Sequence, residues 1–287
     1  MHFGYSAFWV WLQKFLMDWL QPQPDDEENL PEENTPEPEP EEGNEENLPR
    51  NENLPKFETP PPPPKKETMN FRNDITIILS AGHGATDPLT GEYHCLAGGK
   101  EYTYRDGRNV REGDLNRLYA KSLEKALLEA GYKVVNVHHE IQDYSLDKRI
   151  KLAQEVKGEC CLIPIHHNAS VRHNAKGFEV FTTRGKTPSD DLAEYIWFKV
   201  NLLRRMFKNL RMRHDIATDG DHDKEANFKE IKHFENYHKN TAFTGACAYI
   251  ENGFFDYKPD LERIENKDFL RHFTIAVVKA IDLFYKK

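Results

Sequence analysis

Four segments of the chain carry side chains that could do chemistry together. Ser80-Ala81-Gly82-His83-Gly84 sets an imidazole between two glycines, and Arg111-Glu112-Gly113-Asp114-Leu115-Asn116 offers a carboxylate. His166-His167-Asn168-Ala169 adds a pair of imidazoles, and Glu251-Asn252-Gly253-Phe254-Phe255 a second carboxylate. Two imidazoles and one carboxylate bind zinc tetrahedrally and leave a fourth position for water, as a catalytic site requires. Zinc lowers the pKa of that water and polarises a carbonyl oxygen. A carboxylate outside the metal's ligand set then moves protons. On an extended chain the rings of His166 and His167 point in opposite directions, so only one of them can face the metal. Taken singly, each residue has a plainer explanation. His83 could fill a corner, Glu112 could favour a helix macrodipole, and Glu251 could sit in a turn.

The elements that must position these residues alternate between strand and helix. Apolar, β-branched runs at Ile75–Leu79, Val134–Val137, Cys160–Ile165, Phe178–Phe181 and Ala246–Ile250 predict buried strands. Helical periodicity covers Leu115–Ala130, Leu146–Val156, Asp190–Leu210 and Phe269–Tyr285, the first two ended by Gly131 and Gly158. This alternation predicts an α/β domain over residues 71–287, with a mostly parallel central sheet flanked by helices on both faces. Ligands of such sheets bind where loops leave the carboxyl ends of the strands. The expected strands end just before His83, His166 and Glu251, and Glu112 opens the first helix.

With these segments in place, the chain resembles the zinc-dependent N-acetylmuramoyl-L-alanine amidases of the amidase type 3 family. Their Gly-His-Gly is matched by Gly82-His83-Gly84, and their metal-binding Glu with Asn four residues later by Glu112 and Asn116. Ile165-His166-His167-Asn168-Ala169 matches their Ile-His-x-Asn-Ala, and Glu251-Asn252-Gly253-Phe254 their catalytic Glu followed by Gly-Phe. The four matches occur in family order. The resemblance implies a phosphorylase/hydrolase-like fold, Zn²⁺ held by His83, Glu112 and His166, and Glu251 as the catalytic acid–base. It leaves His167 as a packed neighbour. The implied reaction cleaves the amide between N-acetylmuramic acid and L-alanine in bacterial peptidoglycan. Asp106-Gly107, Arg111-Glu112 and the wording around Glu251 look more like phage and prophage lysins than housekeeping enzymes. Two departures stand out: Asp256-Tyr257 occupies a region where the family usually has Asn, and a long connection, Ala85 to Arg111, separates His83 from Glu112. The connection is expected to contact substrate. The alternatives are a zinc peptidase acting within the stem peptide and a non-catalytic wall-binding or virion protein that kept the fold.

Charge separates this domain from what precedes it. Residues 1–70 hold 16 acidic and 5 basic side chains, so −11 of the chain's net −9 lies there and 71–287 carry +2. A near-neutral domain without a basic stripe argues against nucleic acid as a partner. Residues 22–70, rich in Pro, Glu and Asn, read as a disordered linker. Residues 1–21 read as a short apolar amphipathic helix suited to a membrane interface or a protein groove. A basic n-region and a small-residue cleavage site are both missing, so no cleavable signal is expected. A lysin made in the host cytoplasm, acting on the cell wall as a monomer, fits these features. Cys95, Cys160, Cys161 and Cys247 are too few and too irregular for a disulfide framework and are expected to be reduced. His138, His139, His173, His214 and His238 read as surface or core residues. Asp219-Gly220-Asp221-His222-Asp223, with Glu230 beyond, faintly resembles a calcium loop. Lys224 replaces the glycine such a loop needs, so a solvated acidic loop is expected.

Overall fold

A computed structural model of the chain describes residues 73–239, 241 and 245–286. The expectations for residues 1–21 and 22–70 lie outside the described residues. Among the described residues no helix is long and apolar enough to cross a membrane.

In chain order the strands are β1 (Ile75–Ala81), β2 (Glu101–Thr103), β3 (Asn109–Arg111), β4 (Lys133–Asn136), β5 (Glu159–Asn168), β6 (Glu179–Thr182), β7 (Lys224–Glu225), β8 (Gly245–Cys247) and β9 (Tyr249–Phe254). The principal helices are α1 (Glu112–Glu129), α2 (Leu146–Glu155), α3 (Pro188–Leu202), α4 (Lys229–His238), α5 (Lys258–Ile264) and α6 (Lys267–Tyr285). Seven strands form one sheet in the order β4-β1-β5-β9-β6-β7, and β8 also pairs with β5. β8 and β9 run along the same edge of β5, interrupted at Ala248, whose N–H still donates to Leu162 O at 3.1 Å. All pairings in this sheet are parallel except β6 against β9. β2 and β3 form a separate antiparallel hairpin.

Side-chain alternation along the central strands builds two cores. Ile75, Ile77 and Leu79 of β1, with Cys161, Ile163 and Ile165 of β5, pack under α1, α3 and α6. Ile78, Cys160 and Leu162 turn the other way and pack under α2 and α4. Strands buried on both faces need apolar residues at nearly every position, which is why β1 and β5 read as continuous runs. Thr187 opens α3 through a capping box with Asp190, and Pro188 occupies the first turn. The expected helix Asp190–Leu210 is shorter here. It ends at Leu202 and tightens into a 3₁₀ turn, Leu203–Arg205. The expected strand Ala246–Ile250 extends to Phe254, so Glu251 sits inside β9 rather than after it.

Candidate metal centre

Each element delivers one functional side chain to the carboxyl end of the sheet. The chain leaves β1 at Gly82, whose N–H donates to Ile165 O at 3.0 Å. His83 follows in the left-handed region with φ +60°, a conformation that disfavours a side chain and is held here by the packing around it. Gly82 has no substitute at its position. A Cβ there would overlap the His166 ring. Glu112 begins α1, where the helix N-terminus favours its charge. His166 and His167 lie near the end of β5, where the alternation that sorts the core also sorts the two rings. His166 shares the face of Cys160 and Leu162, while His167 shares that of Cys161 and Ile165 and packs on Tyr119 of α1 with ring centroids 4.9 Å apart.

These placements bring His83, Glu112 and His166 together. One ligand atom from each lies within 4.8 Å of the other two. Glu112 Oε1 is 3.0 Å from His166 Nδ1 and 3.4 Å from His83 Nε2. Burial pushes the Glu112 carboxyl up, but its hydrogen bonds to His166 and His83 outweigh this and hold it well below the usual range. Burial also drives His166 down to about 4, partly opposed by Glu112, so the ring is neutral at physiological pH, the form that ligates a metal. The second nitrogen of His166, Nε2, is buried without a hydrogen-bond partner. Two imidazoles and a carboxylate within ligand range of one another, one ring carrying a buried orphan nitrogen, are a donor set that fits a metal ion. His83 also falls within 4.8 Å of Cys95 and Asp143. Those three side chains are only half-buried, and Asp143 is already engaged by Leu96 N at 2.9 Å, so the Glu112 set is the better-built one.

His167 is held apart from this cluster. Its Nδ1 meets Asn116 Oδ1 at 2.8 Å, and Asn116 in turn donates to Gly82 O at 3.0 Å. Asn116 thus ties the β1 turn to β5 from beneath the cluster.

Glu251 stands opposite His166 in the register of β5 with β9. The residue as a whole is half-buried, but its Oε2 is sealed from solvent and has no partner. Burial first, and then the charge of Glu112, push its carboxyl well above the usual range. The strand end that carries it is fastened by Asp260 of α5, a residue sequence reasoning missed. Asp260 accepts from Phe254 N at 3.0 Å and Gly177 N at 2.7 Å, and its other oxygen takes Arg263 at 2.7 Å. Gly253 has φ +110°, and a Cβ there would overlap the Arg263 guanidinium. Asp260→Ala strips two backbone donors and a buried guanidinium of their partner, so it is expected to cost about 4 kcal/mol in urea unfolding. Asp256, at the family's Asn region, is buried and accepts from Ser170 N and His173 Nδ1, both at 2.8 Å, which anchors the loop after β5.

A cavity of about 370 Å³ opens beside the cluster, lined by His83, His166, Tyr249, Arg149, Tyr144 and Phe228, among others. Leu96, Ala97 and Lys100 of the long connection complete its wall. Lys100 Nζ is 3.2 Å from Glu112 Oε2, the oxygen turned away from the imidazoles. The connection is folded back on α1: Thr86 N and Oγ1 each reach Asp114 at 2.6 Å, and Tyr93 accepts from Gly113 N at 3.2 Å. Arg149 and Glu230 form a buried pair at 3.0 Å in the wall of the cavity, with Ser80 hydrogen-bonded to both. Arg149 had no local sequence signal, because α2 supplies it from outside the strand-end turns, and Glu230, which the sequence offered only to a calcium loop, is held here by Arg149 and Ser80.

The family model for N-acetylmuramoyl-L-alanine amidase matches residues 77–282. The chain belongs to this family. Solved amidases share the fold: one from Clostridium difficile 630 is 21% identical with TM-score 0.56, over 75% of this chain and 98% of that one. AmiC2 of Nostoc punctiforme gives 16%, 0.55, 75% and 99% in the same order. The CwlD amidase of Clostridioides difficile, solved with the GerS lipoprotein, gives 18%, 0.53, 74% and 98%. A comparison with curated proteins finds no match. As an amidase of this family the chain is a cell-wall hydrolase, and the α/β architecture expected from the sequence is the one these amidases share. Its four cysteines are free, with Cys160, Cys161 and Cys247 buried.

Proposed function

We propose that this amidase is zinc-dependent, with His83, Glu112 and His166 as the metal ligands and Glu251 as the acid–base. Its substrate on this reading is the amide joining the lactyl group of N-acetylmuramic acid to L-alanine. The observation that carries it is the convergence of the two imidazoles and Glu112, with an orphaned buried nitrogen on His166 and Glu251 opposite. When bound, zinc supplies a water of lowered pKa and a Lewis acid for the scissile carbonyl.

The chain's own residues do the rest. His83 and His166 present imidazole lone pairs, and Glu112 balances charge. Lys100 holds the outer oxygen of Glu112 and so fixes which oxygen faces the imidazoles. Glu251 Oε2 accepts the proton of the attacking water and returns it to the leaving L-alanine nitrogen as the amide breaks. The cavity beside the cluster, lined by Tyr144, Phe228 and Leu96, gives an apolar surface against which the substrate can rest. The lysin-like wording around Arg111-Glu112 and Glu251 supports a phage or prophage origin.

Stripping the metal with a chelator is expected to abolish wall digestion, and adding zinc to restore it. Mass spectrometry of the digest is expected to show free muramic carboxyl groups and intact stem peptides beginning with L-alanine. Stem peptides cut internally would assign the site to a peptidase. Undiminished digestion in chelator would remove the metal from the reaction.

A further inference from the structure

His83 belongs to two donor sets. One is the cluster with Glu112 and His166. The other joins it to Cys95 and Asp143, again with all three ligand atoms within 4.8 Å of one another. The two sets meet at the His83 ring and share no other residue. Three separate segments supply the second set: the turn after β1, the long connection, and the loop between β4 and α2. Backbone groups fasten these segments together. Ala85 N donates to Ile141 O at 2.7 Å, His94 N to Ala85 O at 3.1 Å, and Leu96 N to the Asp143 carboxylate at 2.9 Å. Gly84 permits the close approach, since a Cβ there would overlap His94 O and crowd Asp143 N. Cys160, Cys161 and Cys247 are sealed in the core, whereas Cys95 is half-buried and open to an incoming ion. Its thiol donates to Ala97 O at 3.2 Å, a weak bond that a metal displaces.

We propose that His83, Cys95 and Asp143 form a second, inhibitory zinc site that draws the His83 ring away from Glu112 and His166. The inhibition rests on the reading of Glu112 and His166 as ligands of the catalytic metal. Thiolate, imidazole and carboxylate are a zinc donor set, and the sulfur disfavours calcium and magnesium. On binding, the thiol proton of Cys95 passes to solvent as the Zn–S bond forms. The second set is the weaker one. Glu112 and His166 are buried, and hydrogen bonds to the two rings already hold the Glu112 carboxyl ionised. The first zinc therefore fills the catalytic cluster, and the second set competes when zinc is in excess. An ion there takes a ligand from the cluster. It also stands in the cavity wall that His83, Leu96 and Asp143 line. Both effects lower turnover.

The test adds cobalt to the full-length protein already carrying one equivalent of zinc, with zinc dialysis and wall digestion alongside. Wild type is expected to develop a saturable thiolate-to-cobalt charge-transfer band, and Cys95→Ser to show none. In dialysis, Cys95→Ser and Asp143→Asn are each expected to weaken the second zinc equivalent by about tenfold or more. Asp143→Asn keeps an oxygen for Leu96 N and so preserves the loop. Digestion by wild type is expected to peak near one equivalent of zinc and to fall as the second binds. Cys95→Ser is expected to match wild type at one equivalent and to lose this inhibition. Failure of the band to form in wild type overturns the proposal, as does equal inhibition of Cys95→Ser by excess zinc. Residues 1–70 contain no cysteine, so metal taken up by that acidic tail gives no such band. The band and the dialysis are read without turnover. Undiminished digestion in chelator sinks the catalytic reading, whereas a missing band sinks the second site alone.

Discussion

Glu251→Gln is expected to lower kcat on a defined muropeptide by about a thousandfold, with zinc content unchanged and KM moved little. The amide keeps the shape of the carboxyl but can neither take the water's proton nor return it to the leaving nitrogen, and loss of such a group typically costs 10²–10⁴-fold, as an order of magnitude. An interaction used only in the transition state lowers kcat and kcat/KM together. The same substitution is expected to stabilise the metal-free protein. In that state the carboxyl is pushed well above its usual range by burial and by Glu112, with Glu179 adding to the repulsion. A carboxyl whose folded pKa is raised stabilises the fold less as pH rises above its unfolded value of 4.5. The advantage of Gln is therefore absent below that pH and grows above it, reaching about 1 kcal/mol near neutrality. Retained turnover with unchanged zinc would remove Glu251 from the mechanism. A stability difference between variant and wild type that stays constant with pH would remove the electrostatic account of its environment.

Much of this site could be seen in the sequence because its parts follow strands whose burial makes them conspicuous. β1 and β5 are apolar at nearly every position, so their ends, and the polar residues just beyond, stand out. Register is less legible. Nothing local shows that β6 runs antiparallel to β9, or that β8 and β9 share one edge of β5 with a break at Ala248, since both depend on pairing between distant segments. The end of α3 was misplaced for a related reason. Apolar residues continue past Leu202, but they pack as a 3₁₀ turn and loop against the same core. Lys100, Arg149 and Asp260 were missed because their roles exist only in three dimensions. A lysine in a glycine-punctuated connection, an arginine on an amphipathic helix and an aspartate in a short helix all look like surface residues until the fold turns them inward. Asp223 erred in the same direction. The acidic stretch Asp219 to Asp223 predicts a solvated loop, yet Asp223, just ahead of β7, is buried and accepts the Thr182 hydroxyl.

The adjacent histidines allow the metal reading to be separated from a structural one with two substitutions. His166→Ala is expected to reduce zinc affinity by more than about a hundredfold and to abolish wall digestion, because it removes one of three protein ligands. Its metal-free stability should fall modestly, since the ring's main apolar contact is the stack on Tyr249, with centroids 4.6 Å apart. His167→Ala is expected to do the reverse. It opens a cavity against Tyr119 and strands Asn116 Oδ1, which takes His167 Nδ1 at 2.8 Å. A loss of about 3 kcal/mol in urea unfolding is the expected scale for such a deletion with a lost buried hydrogen bond. Zinc content should survive, because Glu112 and the other two rings keep their places. Two neighbouring residues of one type would thus divide cleanly between chemistry and folding, and the cause is the period-two alternation of β5. Zinc lost from His167→Ala and kept by His166→Ala would mean that β5 presents the opposite face to the metal, and the assignment of all three ligands would fall with it.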